Sequence, residues 1–213
     1  MDVKAYIFDL DGTLVDSMTN GWIKMLKDFL LVRGIDLSYE LVKQVITLGL
    51  YGVAEDFKSR YNFTETVEEI VTEFRNALRV KYETVIPQKS NVRETLVLLK
   101  ERGKSLNVLT ASPHEFLDPA VKRLDLYGLF DNVWSIEDFP ITKADPRIYQ
   151  MAADRLGLRA EECVMVDDSI GAIKPAKQAG MKTIGVYDDF SSVYETEMRA
   201  TADLYICNFK EML

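Results

Sequence analysis

Five short runs constrain what this chain can fold into: VKAYIF at 3–8, SLNVLT at 105–110, ECVMV at 162–166, MKTIGV at 181–186 and DLYIC at 203–207. Each is apolar almost without interruption instead of alternating. That pattern predicts parallel strands covered on both faces. NVWS at 132–135 is a weaker sixth candidate. Segments of helical period lie between the runs, several with explicit start signals. Ser112-Pro113-His114-Glu115 reads as a capping box with proline at the first helical position. Asp145-Pro146 opens a helix ending near Gly157, and Asn91 with Glu94 opens one ending near Gly103.

Strand alternating with helix predicts the α/β class, a doubly wound, Rossmann-like parallel sheet. One region breaks the alternation. From Asp16 to about Glu83 the pattern is helical throughout, over 17–33, 39–48, 52–60 and 66–83, the last opened by the box Thr66 to Glu69. This is too much chain for a simple crossover. The sequence therefore predicts a core domain made of residues 1–15 and 86–213, interrupted by a small all-helical domain over 16–85.

Composition narrows the partners. With 47% hydrophobic and 28% charged residues in 213, the chain can bury a sizeable core. A formal net charge of -8 with no basic patch argues against nucleic acid and against an anionic membrane surface. Cys163 and Cys207 both lie in apolar runs and read as buried free thiols. There is no basic, apolar leader and no run near the roughly 20 residues needed to span a bilayer. A cytoplasmic monomer is expected.

The polar residues at the strand ends carry the chemistry. FDLDGTLVDS, residues 8–17, sets Asp9 and Asp11 directly behind the first strand. The second strand ends in Thr110-Ala111-Ser112, the run ECVMV ends in Asp167-Asp168, and Lys143 precedes the helix opened by Asp145-Pro146. Alone, D-x-D-G-T is an ordinary turn sequence. But ligands of open α/β sheets bind beyond the carboxyl ends of the strands, where these residues would converge. Four acids cannot all ionise at close range without a cation, and an all-oxygen set favours a hard ion, Mg²⁺. Together with one lysine and a hydroxyl-bearing loop, such a site suits a phosphoryl group. Asp9 is then placed to be a nucleophile, and Asp11 to protonate the leaving oxygen and later activate water.

With these residues in hand, the chain resembles the haloacid-dehalogenase-like hydrolase superfamily. FDLDGTLVDS matches its first motif, LTAS its second, Lys143 in TKADPRIY its third and VMVDDSIGAIKPAKQAGM its fourth, in the family's order and spacing. The helical insertion resembles that family's cap, and the whole looks nearest to the β-phosphoglucomutase and phosphoglycolate-phosphatase-like branch. The resemblance implies that Asp9 is nucleophile and metal ligand. It implies that the backbone carbonyl of Asp11 also binds the metal, that Thr110 and the Ala111 amide hold phosphate, that Lys143 balances charge, and that Asp168 binds the metal directly. Some members carry a further acid four residues on, where this chain has Ala172, and Asp167 is expected to fill that role. Pro175, where an alanine is usual, is tolerable if its helix starts near Gly171 or Ala172.

The expected activity is a Mg²⁺-dependent phosphatase acting on a small phosphorylated metabolite through an aspartyl-phosphate. A phosphosugar mutase is the alternative, weakened because mutase-like members have a histidine near Asn20-Gly21 and this chain has none there. A phospho-acceptor signalling domain groups similar residues, but without an inserted cap and at roughly half the length. Leu48-Gly49-Leu50-Tyr51-Gly52 is the expected specificity loop, with Tyr51 either contacting substrate or filling the cap core. Ser112 is expected to cap its helix, and His114 to be a surface residue.

Overall fold

The computed structural model describes residues 2–45 and 48–213, and these divide into two compact units, the chain up to Asp16 with Pro87–Leu213, and Ser17–Ile86. The first unit holds a six-stranded sheet in the order β3-β2-β1-β4-β5-β6. Its strands are β1 Ala5–Phe8, β2 Ser105–Thr110, β3 Asn132–Ser135, β4 Cys163–Asp167, β5 Lys182–Val186 and β6 Leu204–Ile206. Every pairing is parallel. The run NVWS is therefore a full member of the sheet, at its edge.

β1 is buried along its whole length, and its two-residue period divides it between two cores. Ala5 and Ile7 join Met165, Ile148 and Tyr149 in one apolar cluster. Tyr6 and Phe8 stack on each other at 6.0 Å between ring centroids, and Phe8 meets Phe209 at 6.4 Å. A residue directly after β1 thus emerges at the middle of the sheet.

Helices join the strands: α5 Val92–Glu101, α6 His114–Arg123, α7 Arg147–Arg155, α8 Ile170–Gln178 and α9 Glu195–Thr201. Three expected details differ. Asn91 sits before α5 with φ 62° and makes no cap bond; its amide instead donates to Asn208 Oδ1 at 3.1 Å. α8 begins at Ile170, so Pro175 falls in the second turn, where it denies the Gly171 carbonyl an intrahelical donor. Cys163 is buried, and burial lifts its thiol to about 11, but Cys207 is exposed.

The two chain segments bordering the insertion lie side by side in the first unit. Asp16 N–H donates to the Pro87 carbonyl at 3.0 Å and Lys89 N–H to the Leu14 carbonyl at 2.9 Å, around an antiparallel bridge between Val15 and Gln88. Lys89 Nζ closes the clasp by reaching Asp188 Oδ2 and the Tyr187 carbonyl, each at 2.8 Å.

The second unit is helical: a π-helical turn Met18–Ile23, then α1 Lys24–Leu31, α2 Tyr39–Val45, α3 Gly49–Tyr61 and α4 Val67–Thr84. Phe29, Phe57 and Phe74 form its aromatic centre, with Phe29 and Phe74 at 4.8 Å edge to face. Phe57 and Phe74 are fully buried, worth roughly 1.5–3 kcal/mol each relative to exposure. The box opening α4 is complete: Glu69 N–H donates to Thr66 Oγ1 at 3.2 Å and Thr66 N–H to Glu69 Oε2 at 2.7 Å. The expected 48–52 loop is different. Gly49–Gly52 is the first turn of α3, while Ile46 and Thr47 lie outside the described residues. Tyr51 is 57% exposed, so it does not fill the core of this unit. Among the described residues no helix is long and apolar enough to cross a membrane.

Candidate active site

The strand order reverses direction at β1, with β2 on one side and β4 on the other, the crevice where open α/β sheets place their ligands. Asp9 follows β1 directly and its N–H donates to the Val166 carbonyl at 2.9 Å, which fixes it beside the end of β4. Thr110 is the last residue of β2 and Asp167 the last of β4, both buried. A cavity of about 400 Å³ opens here, lined by Asp9, Asp11, Thr110, Ala111, Lys143 and Asp167, and further by Asp168, Ser169, Gly171 and Ala172. All seven residues expected from the sequence face one cavity.

Lys143 is the electrostatic centre of that cavity. Its Nζ donates to Asp9 Oδ1 at 2.7 Å and to Asp167 Oδ2 at 2.5 Å. Burial works against its charge, but Asp167 and Asp9 outweigh burial and hold its ammonium above the ordinary lysine value. Asp167 accepts a second bond at Oδ1 from the Ser169 N–H at 2.8 Å. Its carboxyl is nonetheless pushed upward, by burial first and by Asp9, against the pull of Lys143. Asp168 is pushed up as well, by burial and then by Asp167 and Asp9. One ammonium does not neutralise this set.

That imbalance is the fit test for a metal. Ligand oxygens of Asp9, Asp167 and Asp168 all lie within 4.8 Å of one another. An all-carboxylate group short of positive charge suits a hard divalent cation such as Mg²⁺. Ala172, at 4% exposure, adds no acid.

Other residues hold this arrangement in place, and the sequence did not single them out. Thr13 Oγ1 accepts the Asp168 N–H at 3.1 Å and donates to Asp168 Oδ1 at 3.2 Å. Gly12 has φ +74°, and a Cβ there would stand 2.8 Å from the Asp168 carboxylate, so the close approach requires glycine. The buried Tyr149 hydroxyl donates to the Lys143 carbonyl at 2.8 Å. Tyr149 lies in the first turn of α7, six residues after Lys143, and no local pattern in TKADPRIY pointed to it.

Ser112 corrects an expectation. It is not the N-cap residue of α6: that position is Pro113, which makes no side-chain cap bond. The Ser112 hydroxyl donates to Asp11 Oδ2 instead. Thr110 Oγ1 accepts the Ser112 N–H at 3.1 Å, which leaves the Thr110 O–H free to donate elsewhere. His114 sits between two acids, with Nδ1 3.2 Å from Asp118 Oδ1 and Nε2 2.9 Å from Asp138 Oδ2.

With cavity and strand ends placed, comparison with known proteins gives the class. The model of the haloacid dehalogenase-like hydrolases matches residues 3–180, and this chain belongs to that family of hydrolases. Hexitol phosphatase B of Escherichia coli K12 is 30% identical over 190 residues, covering 86% of this chain and 83% of the relative. Phosphoglycolate phosphatase of Photorhabdus laumondii is 27% identical over 218 residues, covering 99% and 91%. In fold, a Thermotoga maritima protein provisionally described as a β-phosphoglucomutase superposes with a TM-score of 0.85 at 22% identity, over 99% of this chain and 96% of that one.

Proposed function

We propose that this chain is a Mg²⁺-dependent phosphatase that releases phosphate from a small phosphorylated metabolite through an aspartyl-phosphate on Asp9. The observation that carries the reading is Lys143 joining Asp9 to Asp167 in a cavity that also holds Asp11, Thr110 and Asp168. Relatives named hexitol phosphatase and phosphoglycolate phosphatase support the reaction class.

In this reading the Asp9 carboxylate attacks phosphorus while the bond from phosphorus to the leaving oxygen breaks and Asp11 gives that oxygen its proton. The Thr110 hydroxyl, the Ala111 N–H and the Lys143 ammonium hold the phosphoryl oxygens. Asp11, now ionised, takes a proton from water as the water attacks phosphorus, the bond to Asp9 breaks, and phosphate leaves. A Mg²⁺ held by Asp9, Asp167, Asp168 and the Asp11 backbone carbonyl would supply the positive charge that lets an anionic carboxylate approach an anionic phosphate.

The test is phosphate release from p-nitrophenyl phosphate with Mg²⁺, followed by a panel of phosphorylated polyols, sugars and carboxylic acids. Turnover that disappears in Asp9→Asn is the expected result. Turnover surviving in Asp9→Asn, or a stable phosphoprotein without turnover, would sink the proposal. Comparing the panel for wild type and Tyr51→Ala tests whether Tyr51 takes part in substrate choice, and equal profiles would remove it.

A further inference from the structure

We propose that Ser112 is a positioning residue for Asp11, its hydroxyl selecting the orientation in which the Asp11 carboxyl faces the reacting oxygen. The inference rests on the phosphatase reading above and gives a role to the last residue of LTAS, which that reading leaves without one.

The geometry around Ser112 is fully committed. Its N–H donates to Thr110 Oγ1 at 3.1 Å, its carbonyl accepts from Ser135 Oγ at 2.8 Å, and its hydroxyl donates to Asp11 Oδ2. Ser135 has no exposed surface and is fixed in turn. Its Oγ accepts the Glu137 N–H at 3.2 Å, and its own N–H donates to Asp138 Oδ2 at 3.0 Å. The end of β2 is thereby pinned to the end of β3, and the one group of Ser112 left to act outward is its hydroxyl.

A serine just before a helix ordinarily uses its oxygen to accept a bond from a first-turn amide. Here the His114 N–H is taken by Glu137 Oε2 at 3.0 Å. The Ser112 O–H crosses to the turn behind β1, 101 residues away in sequence. The bond bears on orientation because a half-buried carboxylate on a turn has several rotamers, with a broad preference at χ2. A bond to a charged acceptor from a fixed donor selects one of them. Displacement of a reacting group by about 1 Å can cost roughly a hundredfold in rate.

The experiment is steady-state kinetics on p-nitrophenyl phosphate with Mg²⁺ for Ser112→Ala, Ser112→Thr and Ser112→Val, each also combined with Asp11→Ala. Threonine and valine have the same shape and differ only in the hydroxyl, so a loading or folding effect appears in both. The expected result is a kcat roughly tenfold lower in the alanine and valine variants, KM within about twofold of wild type, and most of the loss restored by threonine. In the Asp11→Ala background, removing the Ser112 hydroxyl should cost nothing more, because its target is gone. Losses that simply add in the double variants would overturn the proposal, since Ser112 would then act on the substrate itself. Equal kcat for threonine and valine, unchanged kcat in Ser112→Ala, or a rise in KM alone would do the same. A wild type that turns over, an inactive Asp9→Asn and an unaffected Ser112→Ala would remove this inference and leave the phosphatase reading standing. A wild type without turnover, or an active Asp9→Asn, would remove both.

Discussion

The ammonium of Lys143 lies 2.5 Å from Asp167 Oδ2, with side chains only 11% and 2% exposed. Neither charge has much water to fall back on. Removing one partner of such a pair leaves the other buried and uncompensated, at a typical cost of about 3–5 kcal/mol. Lys143→Met is therefore expected to lose both activity and roughly that much unfolding free energy in urea, measured without Mg²⁺. A variant as stable as wild type would show that the pair contributes no such support.

The remaining negative charge predicts a thermodynamic response to metal. Saturating Mg²⁺ at a hundred times its dissociation constant should stabilise the fold by about 2.7 kcal/mol, and chelation should abolish turnover. Asp168→Asn should melt higher than wild type in chelator, because it removes one of the mutually repelling carboxylates, while losing most of the Mg²⁺ response. Identical melting curves with and without Mg²⁺ would contradict this.

Gly12→Ala combines two penalties, a left-handed φ of +74° and a methyl 2.8 Å from the Asp168 carboxylate. Strain at such a position costs about 1–3 kcal/mol. We expect a loss of that order in denaturant melts, together with activity falling further than stability alone explains. An active, equally stable alanine variant would mean that Asp168 moves aside without consequence.

His114 sets a pH dependence. Partial burial lowers its pKa, but the hydrogen bonds and charges of Asp118 and Asp138 outweigh burial and hold it above the ordinary 6.5. A histidine whose pKa is raised in the folded state stabilises that state below its unfolded pKa, and the contribution fades as pH rises through the higher folded value. The acids facing it come from α6, through Asp118, and from the segment after β3, through Asp138. Wild type should exceed His114→Gln in stability at about pH 5.5 and lose that advantage by about pH 9. A constant difference across this range would rule the pair out as its source.

Much of the sheet was legible because a parallel strand covered on both faces has nowhere to place polar residues. ECVMV and VKAYIF are apolar for that reason. NVWS was weaker because β3 is the edge strand, and Asn132, Val133 and Trp134 are only half-buried. The gathering of Asp9, Thr110 and Asp167 at one edge could be anticipated from strand ends alone. The partners of Ser112 could not. Its neighbours in sequence describe a helix start, and its actual bond depends on β2 lying beside β1. Thr13 and Asp168 are likewise joined across 155 residues, a relationship no local pattern records. The first turn of α3 was misjudged for another reason: two glycines in five residues read as a loop, yet the turn is helical.

The clasp beside the insertion has a consequence for how this chain can be cut and rejoined. Because Asp16 and Pro87 are already hydrogen-bonded neighbours at 3.0 Å, the chain leaves the sheet unit for Ser17–Ile86 and re-enters it at adjacent residues. Splicing residue 16 to residue 87 through a short turn leaves every strand pairing untouched, and the shortened chain should fold. The same junction would accept a helical insert from another protein, while the strand ends that carry the carboxylates stay as they are.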